Sequence, residues 1–155
     1  MPDRTESTIV IGAPPAAVLD VIADFEAYPE WTGAVKRAEV LLTDDDERPV
    51  RALFELDAGA IRDTYTLDYT WAVDDAGVGS LSWTLHEPST VLKALDGTYE
   101  LHPATGGTAV RYALAVDLRI PMLGMLRRKA EKVIIDTALN ELKKRVEDDG
   151  AEGAG

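Results

Sequence analysis

The sequence predicts an α+β domain in which a curved antiparallel sheet of about seven strands wraps one long C-terminal helix. Three observations predict it. Residues 121–149 carry the longest helical pattern in the chain, with no proline after Pro121. Residues 34–118 carry period-two segments separated by short turn signals, which read as an antiparallel meander. Between the first strand and that meander there is room only for two short helices.

The long helix comes first in the argument. Pro121 suits a first helical turn, because its φ is already helical and its missing N–H is not needed there. Lys129, Lys132, Asp136, Asn140, Lys143 and Glu147 fall at helical spacing and make one polar face. Leu123, Leu126, Ala130, Val133, Ile134, Ala138, Leu142 and Val146 cover much of the remaining girth. An apolar arc that wide calls for cover on more than one side; the alternative is an ordinary core helix. Residues 150–155 read as a flexible tail, which leaves a single domain over residues 1–149.

The other elements follow in order. Thr5 to Ile11 reads as a strand, stopped by Gly12-Ala13-Pro14-Pro15. Pro15 opens a helix to about Phe25, with Val18, Leu19, Ile22 and Phe25 on one face. Pro29 disfavours helix at Tyr28, which predicts a break and then a short helical turn. Strands are expected over Val35–Leu42, Val50–Asp57, Ile61–Val73, Gly79–Glu87, Leu92–His102 and Thr108–Leu118. In the third of these, Ile61, Tyr65, Leu67, Tyr69 and Trp71 alternate with Arg62, Thr64, Thr66, Asp68 and Thr70. That is the pattern of a sheet with one wet face.

Composition bounds the function. The chain has 155 residues, 46% hydrophobic and 28% charged, which fits one globular domain. It lacks cysteine, so a disulfide framework and a cysteine metal site are excluded. No apolar run approaches the roughly 20 residues of a membrane span, and the polar N-terminus carries no signal-peptide core. These features point to the cytoplasm. The net charge of −12 repels phosphates and argues against nucleic acid as a partner. Acidic clusters at Asp44–Glu47, Asp74-Asp75 and Glu147–Asp149 fall at turns or the tail and read as solvated.

The stretch from Ile9 to Trp31 contains a strand, a Pro14-Pro15 helix start and an Asp24-x-x-x-Tyr28-Pro29-x-Trp31 segment. Later, Gly106-Gly107 precedes Thr108-x-Val110-x-Tyr112. With these motifs, residues 5 to about 147 resemble the START/Bet v 1-like (SRPBCC) superfamily, and within it the polyketide cyclase/dehydrase and coenzyme Q-binding branch. The resemblance implies the helix-grip fold. It also implies a deep cavity between sheet and helix for a hydrophobic or amphipathic small molecule, such as a polyketide, a sterol-like lipid or a quinone. By position, Phe54, Tyr65, Tyr69, Trp71, Trp83, Tyr99 and Tyr112 would line it from strands. Phe25 and Trp31 would line it from the short helices, and Ile134 and Ala138 from the long one. For each, the alternative is plain core packing. Tyrosine and tryptophan join an apolar body to a polar tip, which suits a cavity that must orient a ligand.

Chemistry-bearing groups are few. His86 and His102 adjoin turns, and two distant histidines do not make a metal site; no cofactor is called for. Asp63 shares phase with Tyr65 and Tyr69, and an inward carboxylate could act as a general base; its alternative is the wet start of a strand. No G-x-S-x-G elbow, G-x-G-x-x-G or P-loop is present.

Three functions remain. The first is a non-catalytic binder or carrier. The second is a cyclase/dehydrase that closes a poly-β-keto chain by aldol chemistry and dehydration. The third is membrane-associated lipid transfer through the Ile120–Leu126 tip beside Arg127-Arg128-Lys129, which the net charge opposes; packing of that tip on its own sheet, or a homodimer interface in place of a monomer, are its other uses.

Overall fold

The structure, a computed structural model, describes residues 5–57, 62–119 and 124–154, with side chains over 5–57, 62–119 and 128–148. Strand β1 (Thr5–Ile11) leads through helix α1 (Pro15–Ala23), a 3₁₀ turn (Phe25–Ala27) and helix α2 (Tyr28–Trp31) into the meander. That meander is β2 (Val35–Thr43), β3 (Pro49–Asp57), β4 (Arg62–Val73), β5 (Gly79–Leu85), β6 (Leu92–Ala104) and β7 (Gly107–Leu118). Helix α3 (Gly124–Ala154) closes the chain. The seven strands form one antiparallel sheet in the order β1-β7-β6-β5-β4-β3-β2. This is the helix-grip fold.

Turn chemistry fixes the meander. The Asp44 carboxylate accepts the N–H groups of Asp46 and Arg48, and the Asp74 carboxylate those of Ala76 and Val78. Both are local side-chain-to-backbone bonds that hold a hairpin closed. The acidic clusters there are therefore parts of turns as well as solvated charge. Gly77 completes the second turn with φ +85°, where a Cβ would lie 2.7 Å from the Ala16 nitrogen. No other residue fits that approach of hairpin to α1. Register shifts between Val40 and Leu42 and again before Thr43 break the β2–β3 ladder, and such bulges bend a sheet.

The core lies between the concave face of the sheet, α1 and α3. Ile11, Val18, Ile22, Leu81, Leu101, Val110, Ile135 and Leu142 are all sealed at 0–1% exposure. On α3, Ile135, Leu139, Leu142 and Val146 are buried.

Three sequence expectations change, at Tyr28, at Val133 and at the C-terminal end of α3. Tyr28 is not a break; it opens α2 with helical φ −52° and ψ −41°. Its hydroxyl donates to the Ile22 carbonyl, and Pro29 sits inside the first turn, where proline is tolerated. The polar face of α3 makes contacts of its own. Lys132 donates to Ser7 Oγ at 2.6 Å, Lys143 to the Val10 carbonyl at 3.0 Å, and Glu147 accepts the Gly12 N–H at 2.9 Å. These bonds stitch α3 along β1, an edge strand whose open polar groups need cover. Val133, assigned to the apolar arc, is 59% exposed. Helix α3 also continues to Ala154, through residues expected to form a tail. Ile61 lies outside the described residues, as do Ile120, Pro121, Met122 and Leu123 and the side chains of 124–127. The expected Ile120–Leu126 tip therefore lies outside the residues whose side chains are described. No helix among the described residues is long and apolar enough to cross a membrane.

Candidate functional site

A cavity of about 440 Å³ lies between the concave sheet and α3. Each strand from β3 to β7 presents alternate residues to it. Phe54 and Leu56 come from β3, Tyr65, Leu67 and Tyr69 from β4, Leu81 and Trp83 from β5, Leu95 and Tyr99 from β6, and Tyr112, Leu114 and Val116 from β7. Period-two alternation puts them on one side because successive Cβ atoms point to opposite faces. Tyr28 and Trp31 cover one flank, and Ile134, Thr137, Ala138 and Glu141 form the helical wall.

The register opens room for the largest ring. Gly97 faces Trp83 across the β5–β6 pair, and a Cβ there would stand 2.2 Å from the indole. The indole therefore lies flat against the strand instead of projecting into the cavity. From Trp83 the aromatics continue in contact: Tyr69 at 5.9 Å, Tyr99 at 5.3 Å and Tyr112 at 5.6 Å between ring centroids.

The polar tips of these rings divide sharply. Tyr28 is satisfied by the Ile22 carbonyl. The hydroxyls of Tyr65, Tyr69, Tyr99 and Tyr112 have no hydrogen-bond partner among the described residues. Tyr99 and Tyr112 are each 8% exposed, so bulk water does not serve them freely. Burial pushes every one of these phenols above the ordinary tyrosine range, and for Tyr65 the nearby Asp63 carboxylate adds to it. They are neutral hydrogen-bond donors at any physiological pH.

The mouth is marked by the lining residues that reach solvent, namely Gly33, Val133 and Thr137. Glu141 bridges it. Its carboxylate accepts Thr32 Oγ1 at 3.2 Å and the Gly33 N–H at 3.1 Å. Across the same rim the Asp57 N–H donates to the Ala34 carbonyl at 2.7 Å.

A family model described as polyketide cyclase/dehydrase and lipid transport matches residues 11–143. The chain belongs to that family. No curated protein sequence matches it. Among solved structures, a START superfamily protein from Mycobacterium smegmatis superposes with TM-score 0.85 at 18% identity, covering 94% of this chain and 97% of that one. The Zhui aromatase/cyclase from Streptomyces sp. R1128 gives 0.74 at 14% identity, covering 94% and 93%. The di-domain aromatase/cyclase BexL of the BE-7585A biosynthetic pathway gives 0.71 at 18%, covering 94% of this chain and 46% of that one. At such identities the likeness is one of fold.

Within this family member, Trp31, Phe54, Tyr65, Tyr69, Trp83, Tyr99, Tyr112, Ile134 and Ala138 line the cavity as their strand and helix phases predict. Phe25 and Trp71 do not. Phe25 is 1% exposed and packs behind the wall, 4.6 Å from the Tyr69 ring and 5.9 Å from Phe54. Trp71 lies beyond it and donates its indole N–H to the Pro49 carbonyl at 2.6 Å, with Arg48 over its ring. The strand phase was right for Trp71, but the 3₁₀ turn intervenes, with the Phe25 ring stacked on the indole at 6.4 Å between centroids.

Asp63 is outside the cavity lining. Its carboxylate accepts the Ser89 hydroxyl, the Val91 N–H at 3.4 Å and the Thr64 N–H at 3.0 Å. It anchors the loop between β5 and β6. His86 points outward to Asp68 at 2.8 Å, and His102 lies 3.9 Å from Glu100. No group of three metal-ligating side chains occurs among the described residues.

Glu141, Thr137 and Tyr28 were absent from the sequence-derived lining. Thr137 and Glu141 stand three and seven residues after Ile134, on the same helix face. Helical spacing could have found them. Tyr28 could not be found that way, because its placement depends on the turn that Pro29 permits.

Proposed function

We propose that the protein binds a hydrophobic or amphipathic small molecule, of the lipid, quinone or polyketide kind, in the cavity under α3. The observation that carries this is the 440 Å³ of space walled by apolar and aromatic side chains from six strands, α2 and α3. That volume is in the range of small-molecule sites. Family membership supports the same reading. The domain formed by residues 1–149 would act as a single ligand-holding unit.

Native mass spectrometry of the purified protein tests it. The expected result is a 1:1 complex with a small apolar molecule, retained on purification or acquired from a hydrophobic extract. Failure to acquire any such molecule would overturn the reading.

A cyclase/dehydrase activity is the second reading. The neutral phenols of the cavity support it, since donors fixed in a dry site can stabilise the oxyanion that forms when a poly-keto chain enolises. Asp63, held by Ser89, is not positioned to remove the proton. Turnover of a poly-β-keto thioester should then fall at least tenfold in Tyr112→Phe and persist in Asp63→Asn. The converse result would return Asp63 to the mechanism.

A further inference from the structure

The polar groups of the cavity fall into two sets. Its sheet wall presents four hydroxyls able to donate, those of Tyr65, Tyr69, Tyr99 and Tyr112, none with a partner among the described residues. Tyr99 and Tyr112 are more than nine-tenths buried, and their rings touch at 4.6 Å between centroids. Buried donors without acceptors are costly, so what enters is favoured for the acceptors it brings. The charged groups of the lining can only accept. Asp57 and Glu141 are the charged residues of the lining among the described residues, and both are acids. Asp57 is paired with Arg62 at 3.3 Å. Glu141 spends its two oxygens on neutral donors, Thr32 and the Gly33 N–H. The chain as a whole carries −12.

We propose that the cavity selects uncharged or cationic ligands that lead with carbonyl or similar acceptor oxygens, and disfavours carboxylates and phosphates. The inference rests on the binding function proposed above and narrows its ligand class. It separates an oxygenated ring system from a fatty acid, which would either leave its hydrocarbon against the four hydroxyls with its carboxylate beside Glu141 or carry an unpaired charge into the apolar cavity. Among lipids it favours those whose polar end is neutral.

Probes of one shape isolate each element. Equilibrium dialysis of the full chain would use anthracene, 9,10-anthraquinone, anthraquinone-2-carboxylate and 2-(aminomethyl)anthraquinone. Anthraquinone should bind about tenfold or more tightly than anthracene, the gain expected of one or two hydrogen bonds to buried donors. In the Tyr99→Phe, Tyr112→Phe double variant that ratio should fall towards one. The carboxylate should bind several-fold more weakly than the amine, and Glu141→Gln should narrow that gap. Equal binding of anthracene and anthraquinone, or a carboxylate as tight as the amine, would overturn the inference while leaving the cavity a binding site. Binding of none of the four would overturn both. A ratio unchanged in the double variant and in the Tyr65→Phe, Tyr69→Phe double variant also overturns it, by removing the phenols as its cause.

Discussion

The two faces of the sheet treat polar groups in opposite ways. On the convex face, charges are matched within the protein. Arg51 donates to Asp68 at 2.7 Å, and His86 meets the other Asp68 oxygen. Arg111 bridges Glu6 and Glu100. On the concave face, four phenol hydroxyls face a cavity with no protein partner among the described residues. A fold selected for stability alone would satisfy or delete buried donors, since each unmet one costs about 1–3 kcal/mol. The wet face serves the fold, and the dry face serves whatever enters it.

The sharpest break of this contrast separates core aromatics from cavity aromatics. Phe25→Ala should cost about 3–5 kcal/mol in urea unfolding, because it empties a sealed site behind the wall. Tyr99→Phe should cost less than about 1 kcal/mol or stabilise, because it removes a hydroxyl that the protein does not satisfy. If the two costs were equal, Tyr99 would be core like Phe25 and the contrast would fail.

Gly97→Ala tests how the floor was made. The added methyl would meet the Trp83 ring, and the indole must swing into the cavity. A cost of about 1–3 kcal/mol is expected from overpacking, together with loss of ligand capacity. Unaltered binding would mean that Trp83 has another place to go.

All five tyrosines are held above their ordinary range by burial. The unfolded chain ionises them near pH 10. Their contribution is thus intact below about pH 10 and is lost as pH rises above it. Absorbance at 295 nm should show no phenolate while the protein stays folded, then a single rise with unfolding. A phenolate step near pH 10 with the fold intact would place at least one ring in open solvent.

The smallest effect belongs to the convex face. Burial alone would raise the Asp68 pKa, but the bonds from Arg51 and His86 outweigh it and hold the carboxyl low. Its contribution is present above the ordinary carboxylate range and is lost as pH falls through the lowered value. The pair is about a third exposed, so Arg51→Ala should cost at most about 1 kcal/mol and leave ligand binding unchanged.

Much of this contrast was legible in the sequence. Period-two alternation over residues 62–73 separates Tyr65, Leu67 and Tyr69 from Thr64 and Thr70 with no knowledge of the fold. The width of the apolar arc on α3 placed Ile134 and Ala138 on a covered wall. Phase cannot tell where along a strand the cavity ends, and Trp71 falls beyond that end, behind the Phe25 ring of the 3₁₀ turn. Nor can phase see across the chain. The Asp63–Ser89 bond spans 26 residues, and the bonds of Glu141 to Thr32 and Gly33 span 109 and 108. Such partners become visible only when the sheet curls and brings loop and helix together.

The central claim is that ligand binds inside the protein, between sheet and α3. Titration of the neutral fluorophore N-phenyl-1-naphthylamine into wild type and Ala138→Trp tests it most directly, because the indole would fill the space that Ala138 leaves on the wall. The account predicts saturable 1:1 binding to wild type and at least tenfold weaker binding to the variant, with unchanged circular dichroism. Equal binding by a folded Ala138→Trp would contradict it, by placing the fluorophore on the outside.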